Sequence, residues 1–352
     1  MRWLCSLLLG LSCAHSAALQ ERTVRIGVLG MFHPEILTIA NDQDRDLVVL
    51  LEKRQLFLRP RSSCSKIELR ASGNQLLLRC GLIQIRTLEL RAADRNREAI
   101  EFVLGIPKQI ERRYEGILTV RARNGEIIPV VEMDLETAVA SIVQAESMPD
   151  TPLEALKAQA VVSRSYLVAG RGRHADFDFC DLTHCQFLRE PPAAESLAGQ
   201  AAVATRRLVL AFNDKPIVAM FTRSCAGTTR VPTDSDSPSG SYPYYSVRCD
   251  HCYKDPIRWT RTLSREDAAM LSSQGETGRI AIGRKLGWDA VPSYTFTTRE
   301  QGDEVVLEGV GQGHGIGLCQ RGARNMAAFG SDFRAILSHY FPNTRVESLP
   351  LQ

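Results

Sequence analysis

The residue best suited to chemistry in this chain is one acid, Glu146, which stands ahead of two basic residues, Lys157 and Arg164. Residues 134–146 have the apolar spacing of a helix capped by Asp134, and Glu146 continues the apolar stripe. Burial and the negative end of the helix dipole both disfavour a charged carboxylate there. We therefore predict a raised pKa and a role as a general acid. If the helix ends early, Glu146 is instead a solvated loop acid.

The helix that carries Lys157 and Arg164 has a clear start signal. Thr151 is a suitable N-cap, Pro152 suits the first helical position, and Glu154 completes a Thr-x-x-Glu capping box. Because seven residues make about two helical turns, the two basic side chains share one face and lie roughly 10 Å apart. An extended ligand could lie along that face.

A loop after this helix has the composition of a metal site. It offers four soft or borderline ligands, which are His174, Cys180, His184 and Cys185. Their number and type fit a tetrahedral zinc ion, and the sequence equally allows a Cys180–Cys185 disulfide with two incidental histidines.

A second group of cysteines lies further along the chain, at Cys225, Cys249, Cys252 and Cys319. Cys249 and Cys252 form a Cys-x-x-Cys pair, which occurs in redox sites, metal sites and disulfides. The four thiols could alternatively form one closed, structural zinc site.

The composition is that of an ordinary globular protein. With 352 residues, 44% of them hydrophobic and 24% charged, the chain is long enough for two hydrophobic cores. The formal net charge of +3, without a long block of like charges, argues against a nucleic-acid partner.

The first residues predict export. Arg2, an apolar run over residues 3–11 and small residues at positions 16–18 form the pattern of a signal peptide, which we place at residues 1–18. The apolar run is shorter than the ~20 residues that a membrane-spanning helix needs. We expect a periplasmic or other cell-envelope location, and lipid anchoring through Cys13 is an alternative.

The predicted fold class is α+β. Residues 23–110 read as a β-rich N-terminal region, because apolar alternation recurs there between turn residues. Residues 111–345 read as a mixed helical and β core with a central cleft. In the first region, a hairpin that turns at residues 72–74 places Cys64 and Cys80 opposite each other, and we predict a stabilising disulfide between them.

A glycine-rich turn near the C-terminal end carries His314. In the run GQGHGIGLCQRGARNMAAFG, glycines alternate with other residues, so the backbone must bend sharply or approach another segment closely. The spacing is not that of a dinucleotide-binding loop and no ribose-binding acid follows, so we predict no organic cofactor. His314 is expected to face a cleft.

Four stretches, in this order, resemble the stage II sporulation protein D (SpoIID) family of peptidoglycan lytic transglycosylases. They are EMDLETAVASIVQAESMPDTPLEALKAQAVVSRSY, FDFCDLTHCQ, SCAGTT with YPYYSV, and GQGHGIGLCQRGARNMAAFG. The likeness covers about residues 111–345. It implies cleavage of the β-1,4 bond between N-acetylmuramic acid and N-acetylglucosamine without water, which leaves a 1,6-anhydro end.

The resemblance also implies roles for individual residues. Glu146 matches the family's catalytic acid. The implied substrate-binding residues are Lys157, Arg164, Tyr244, His314 and Gln320, and the zinc ligands of some members match His174, Cys180, His184 and Cys185. This chain departs from the family where Ser147 separates Glu146 from Met-Pro, and where the YPYYSV loop is a residue shorter.

Glycan strands of peptidoglycan are the implied partner, and the protein is expected to be a monomer or a weak oligomer. An alternative from a different class is a non-catalytic peptidoglycan-binding protein that activates a cell-wall amidase. A thiol-handling or metal-handling protein built on Cys249 and Cys252 is a third reading.

Overall fold

The computed structural model describes residues 22–350, except for residues 42, 53, 173 and 233–241 and the side chains of residues 272–277. The predicted signal peptide, residues 1–18, lies outside the described residues. None of the helices within the described ranges is long and apolar enough to cross a lipid bilayer.

The N-terminal part of the chain forms one large sheet. The strands before the first α-helix are β1 (Thr23–Gly27), β2 (Ile36–Ala40), β3 (Leu47–Leu50), β4 (Gln55–Leu58), β5 (Lys66–Ser72), β6 (Gln75–Cys80), β7 (Ile83–Thr87), β8 (Glu89–Ala93), β9 (Ile100–Ile106), β10 (Ile110–Arg123) and β11 (Glu126–Asp134), with a short 3-10 helix at Gly30–Phe32. The long strand β10 pairs with β9 along its first half and with β8 and β11 along its second half. The sheet therefore curls into a half-barrel.

The rest of the chain adds helices and three small sheets. In chain order the elements are α1 (Leu135–Glu146), α2 (Leu153–Ala169), β12 (Phe179–Cys180), α3 (Leu197–Ala204), β13 (Leu208–Phe212), β14 (Lys215–Pro216), β15 (Phe221–Thr222), α4 (Asp250–Lys254), β16 (Arg258–Ser264), α5 (Arg265–Leu286), β17 (Thr295–Gln301), β18 (Glu304–Val310), β19 (Leu318–Cys319), α6 (Gln320–Ala328), α7 (Phe333–Tyr340) and β20 (Arg345–Ser348). Strand β12 joins the large sheet by pairing in parallel with β1. The predicted α+β class is confirmed.

The predicted hairpin and its disulfide are both present. Strands β5 and β6 pair in antiparallel fashion across a turn at Gly73 and Asn74. Cys64 and Cys80 are bonded at the open end of this hairpin, with their Cα atoms 5.5 Å apart. The strands on both sides of residue 110 belong to one sheet, which continues to β11.

Within the described residues, three clusters of buried apolar side chains hold the fold together, where the composition had indicated two. The first lies between the curled sheet and helices α1 to α3, and the second surrounds α2, α6 and α7. The third lies inside a small unit made of β16, α5, β17 and β18, where Trp259, Ile282 and Leu307 are buried. This unit has its own core because its three-stranded sheet packs one face against α5.

The two helices next to Glu146 differ in how well their starts were predicted. Asp134 caps α1 as expected, because its carboxylate accepts hydrogen bonds from the backbone N–H groups of Glu136 and Thr137. The capping box predicted for α2 is wrong. Thr151 instead donates its hydroxyl to the carbonyl of Met148, and the carboxylate of Glu154 accepts from the backbone N–H of Phe333.

Candidate active site

Helix α1 delivers Glu146 to the base of a cleft. Its buried face includes Val139, Ile142 and Val143, which pack in the first apolar cluster and fix the direction of the helix. Glu146 is the last residue of α1, and its side chain is half-buried. The prediction that the helix reaches Glu146 is confirmed.

The carboxylate of Glu146 is largely shielded from water and is held in one place. The backbone N–H of Phe187 donates to its Oε1 atom at 2.9 Å. Burial raises the pKa of Glu146 to about 6, although this hydrogen bond and the nearby positive charge of Arg223 both lower it. A carboxyl group with such a pKa is partly protonated near neutral pH and can both give and take a proton.

Two side chains from distant parts of the chain also hold the backbone of Glu146. Its carbonyl oxygen accepts a hydrogen bond from Nε2 of Gln320 at 3.0 Å and another from Nη1 of Arg223 at 3.2 Å. Such bonds satisfy a carbonyl that the end of a helix leaves without an internal partner. The structure thus brings Gln320, which the resemblance assigned to substrate binding, to the backbone of Glu146. It adds Arg223, a basic residue that sequence reasoning had passed over inside the motif around Cys225.

The glycine-rich turn forms one wall of the cleft and carries His314 into it. Gly317 has a positive φ, and a side chain there would lie 2.1 Å from the carbonyl oxygen of Met220. Only glycine therefore permits this close approach. The Nδ1 atom of His314 accepts from the backbone N–H of Ile316 at 3.0 Å, which assigns the proton of the neutral ring to Nε2.

The opposite wall comes from the unit of β16 to β18 and α5. The cleft has a volume of about 330 Å³, and this unit contributes Arg279, Arg284, Trp288, Asp289 and Tyr294 to its lining. The ring of Tyr294 has the guanidinium groups of Arg230 and Arg279 within 5.0 and 4.5 Å of its centre. Sequence reasoning missed this wall. The available signal was the pair of aromatic residues in the loop that follows α5.

Gln186 is a further residue of the cleft that the sequence did not single out. It is only 4% exposed, and neither polar atom of its amide has a hydrogen-bond partner within the described part of the chain. Burying an amide without partners is costly, so such a group is well suited to bind a polar group of a ligand. Its position next to Cys185 was the sole hint in the sequence.

Gln186→Leu tests this role. We expect the substitution to raise the free energy of unfolding by about 1 kcal/mol, because it removes a buried polar group without partners. We also expect it to weaken binding of a ligand in the cleft by roughly 10- to 100-fold, because a hydrogen bond to the ligand is lost. Thermal melting and binding measurements check the two effects. A variant that melts at a lower temperature than the wild type would show that the amide is already satisfied within the protein.

The loop after α2 gathers its four predicted metal ligands. The ligand atoms of His174, Cys180, His184 and Cys185 all lie within 4.8 Å of one another. Nε2 of His174 lies 3.3 Å from Sγ of Cys185, and Nδ1 of His184 lies 3.7 Å from Sγ of Cys180. Cys180 and Cys185 are not bonded to each other. Two thiolates and two imidazoles at such separations suit a tetrahedral zinc ion.

Comparison with known proteins points to one family. The family model described as "SpoIID: Stage II sporulation protein" matches residues 123–212, which include Glu146 and the metal-ligand loop. Stage II sporulation protein D from Bacillus amyloliquefaciens is 26% identical over 256 residues, which cover 60% of this chain and 74% of that protein. These matches support membership of the SpoIID family.

Two other proteins are also similar to this chain. An uncharacterized protein of Brachyspira hyodysenteriae is 29% identical over 262 residues, or 65% of this chain and 70% of its own length. A protein named amidase enhancer from Bacillus subtilis strain 168 is 24% identical over 278 residues, which cover 56% of this chain and 38% of that protein. The SpoIID likeness therefore extends well beyond the residues matched by the family model.

The two basic residues assigned to substrate binding do not form an open face. Arg164 is completely buried, and its guanidinium makes an ion pair with Glu136 at 2.6 Å and donates to the carbonyls of Leu208 and Ala202. Its predicted contact with a glycan is wrong for this reason. Lys157 is half-buried and pairs with Glu154 within the same helix, at 2.6 Å, and it is not among the residues that line the cleft.

Tyr244 does not reach the cleft either. It is 4% exposed and packs in the second apolar cluster against Tyr242 and Phe341. Its hydroxyl donates to the backbone carbonyl of Val218. The prediction of a cleft tyrosine at this position is therefore corrected, because the ring belongs to the core and the aromatic residues of the cleft are Tyr166, Phe221, Trp288 and Tyr294.

Proposed function

We propose that this SpoIID protein is a lytic transglycosylase, which cleaves the β-1,4 bond between N-acetylmuramic acid and N-acetylglucosamine in peptidoglycan and forms 1,6-anhydro-N-acetylmuramic acid. The observation that carries the proposal is the Glu146 carboxyl group, which is desolvated, held by the N–H of Phe187 and placed at a cleft with a pKa of about 6. The test is whether the purified protein releases anhydro products from sacculi, as read by mass spectrometry.

One carboxyl group is sufficient for this reaction. Protonated Glu146 gives its proton to the glycosidic oxygen, and the bond from that oxygen to the anomeric carbon breaks. The resulting carboxylate then takes the proton of the 6-hydroxyl of the same sugar, whose oxygen forms a bond to the anomeric carbon. No water is consumed and Glu146 ends protonated again. A hydrolase would need a second carboxylate about 5–9 Å away.

The lining of the cleft supports a glycan ligand. Trp288 is 45% exposed at the cleft, and indole faces pack well against the apolar faces of sugar rings. Arg279 and Arg284 add positive charge, which suits a polymer that carries carboxylates on its muramic acid units. Gln186 and His314 offer hydrogen-bonding groups for hydroxyl and acetamido substituents.

The pH dependence of the reaction follows from the raised pKa. The acid form of Glu146 starts the reaction, so kcat/KM should fall tenfold per pH unit above about pH 6.

The stability of the protein should also depend on the protonation of Glu146. Its pKa rises from 4.5 to about 6 on folding, so the wild type should lose about 2 kcal/mol of unfolding free energy relative to Glu146→Gln as the pH rises through this interval.

Rate profiles and urea titrations on both proteins, between about pH 4 and about pH 8, measure these two effects. A flat difference in stability between wild type and Glu146→Gln would contradict the raised pKa. A value of kcat/KM that already begins to decline near pH 4.5 would also contradict the raised pKa.

A second candidate function is supported by the relative named amidase enhancer. In this case the cleft would bind peptidoglycan without cleaving it, and the complex would stimulate a cell-wall amidase. Both functions predict binding to glycan strands, but only the enzyme forms a 1,6-anhydro product. Product masses therefore separate the two.

We also propose that the loop of His174, Cys180, His184 and Cys185 holds a zinc ion, because its four ligand atoms are already gathered. When bound, zinc would supply a rigid cross-link within the loop. Phe187, whose N–H contacts Glu146, lies just past the last ligand, so this cross-link would support the position of the acid.

Peptidoglycan as the substrate is consistent with an exported monomer that works in the cell envelope. The N-terminal residues predict such export.

A further inference from the structure

Four cysteines that do not line the cleft meet inside the second apolar cluster. They are Cys225, Cys249, Cys252 and Cys319, which the structure describes as free and buried. Their four Sγ atoms all lie within 4.8 Å of one another. The thiols come from three separate segments of the chain, so their meeting is a product of the tertiary fold and not of one local motif.

The separation of the sulfur atoms indicates what they could bind. Sγ of Cys252 lies 3.5 Å from Sγ of Cys319, much further than the ~2.05 Å of a disulfide bond. It is close to the ~3.8 Å that separates two thiolates on one tetrahedral zinc ion with Zn–S bonds of 2.3 Å. A cluster of several iron and sulfide atoms would need the thiols to stand further apart. A thiol that exchanges disulfides must be accessible, and all four are buried.

We propose that these four cysteines bind one zinc ion in a closed, structural site. Cys249 and Cys252 supply two ligands from the start of α4, in the Cys-x-x-Cys spacing that is common in structural zinc sites. Tyr340 donates its hydroxyl to Sγ of Cys249 at 3.3 Å, and Oγ of Ser224 lies 3.5 Å from Sγ of Cys252. Such outer hydrogen bonds orient metal-bound thiolates.

The backbone near the site is also shaped for it. Gly322 on α6 faces the cluster, and a side chain there would lie 2.5 Å from Sγ of Cys249 and 1.9 Å from the hydroxyl of Tyr340. The missing side chain lets α6 approach the thiols closely.

The site would join the two segments that hold Glu146. Arg223 lies two residues before Cys225, and Gln320 directly follows Cys319. Both side chains donate to the carbonyl of Glu146. A zinc ion between these segments would fix the distance between the two donors, which makes the four cysteines positioning residues for the end of α1.

Two measurements on wild-type protein, purified without chelators, test the proposal. Metal analysis gives the number of zinc ions per chain, and X-ray absorption spectroscopy gives their ligands. If both sites hold zinc, we expect two zinc ions per chain and a ratio of sulfur to nitrogen ligands of three to one. A single zinc ion with sulfur ligands alone would support the four-cysteine site and remove the loop site. A single zinc ion with a ratio of one to one, iron in place of zinc, or disulfides among the four cysteines would each overturn the proposal.

Variants then assign each ion. Cys252→Ser should lower the zinc content by one ion per chain, and the remaining ion should have equal numbers of sulfur and nitrogen ligands. His184→Ala should remove the loop ion and leave an ion bound by sulfur alone. His251→Ala is a matched control, because His251 lies within the Cys-x-x-Cys pair but outside the cluster, and it should keep both ions. Loss of the sulfur-only ion in His184→Ala would contradict the proposal even if Cys252→Ser does not fold.

Discussion

Glu146→Gln should reduce the release of anhydro products from peptidoglycan by about 10²- to 10⁴-fold, the usual contribution of a general acid. An amide keeps the size of the side chain and can still accept the hydrogen bond from Phe187, but it cannot give a proton to the glycosidic oxygen. Binding to sacculi should therefore be retained, and the loss should appear in kcat. Product masses and a co-sedimentation assay with intact and peptide-free sacculi measure the two properties.

Asp289→Asn is the decisive control for the mechanism. Asp289 is another carboxylate that lines the cleft, and it is exposed in the loop that follows α5. A hydrolase with two carboxylates would lose activity in both variants and would form a product that retains the elements of water. The proposed reaction requires Asp289→Asn to form the anhydro product still. Glu195→Gln, at an exposed position outside the cleft, controls for the general effect of removing a carboxylate.

Arg164→Met should destabilise the protein by about 3–5 kcal/mol, which is typical when one partner of a buried ion pair is removed. The guanidinium is wholly buried, and its loss leaves the carboxylate of Glu136 and the carbonyls of Leu208 and Ala202 with fewer partners. Urea unfolding, followed by circular dichroism, measures the change. Lys157→Met, two turns earlier on the same helix, should cost less than about 1 kcal/mol because the ion pair of Lys157 is partly exposed.

A double variant identifies the source of the effect. Glu136→Gln combined with Arg164→Met should be less destabilising than the sum of the two single changes, because the charge left unpaired is then absent. If Arg164 bound the glycan instead, Arg164→Met would weaken binding to sacculi without lowering the free energy of unfolding.

Features determined by local sequence could be predicted. The cap at Asp134, the periodicity of α1 and the hairpin that joins Cys64 to Cys80 each depend on neighbouring residues, and the structure contains all three. The raised pKa of Glu146 also followed from its place on an apolar stripe. Its observed cause is burial, because neighbouring chain segments cover the end of α1.

The errors arose where distant segments decide the environment of a side chain. Helical spacing placed Lys157 and Arg164 on one face, but it could not reveal that Glu136 pairs with the latter. The same limit explains why Tyr244 was assigned to the cleft, whose aromatic wall includes Trp288 on a separate unit. The only local signal for Gln186 was its place next to Cys185, since its significance depends on the absence of partners among the described residues in three dimensions.

The hydrogen bonds that position Glu146 have a consequence for when, during folding, the site can form. The donors to its side chain and carbonyl come from positions 41, 77 and 174 residues later in the chain. While the chain is being synthesised, the acid is present but lacks the enclosure that raises its pKa. We therefore expect competence to arrive late in folding, after β19 and α6 have docked. The proposed lytic activity would in this way stay absent until these segments have folded.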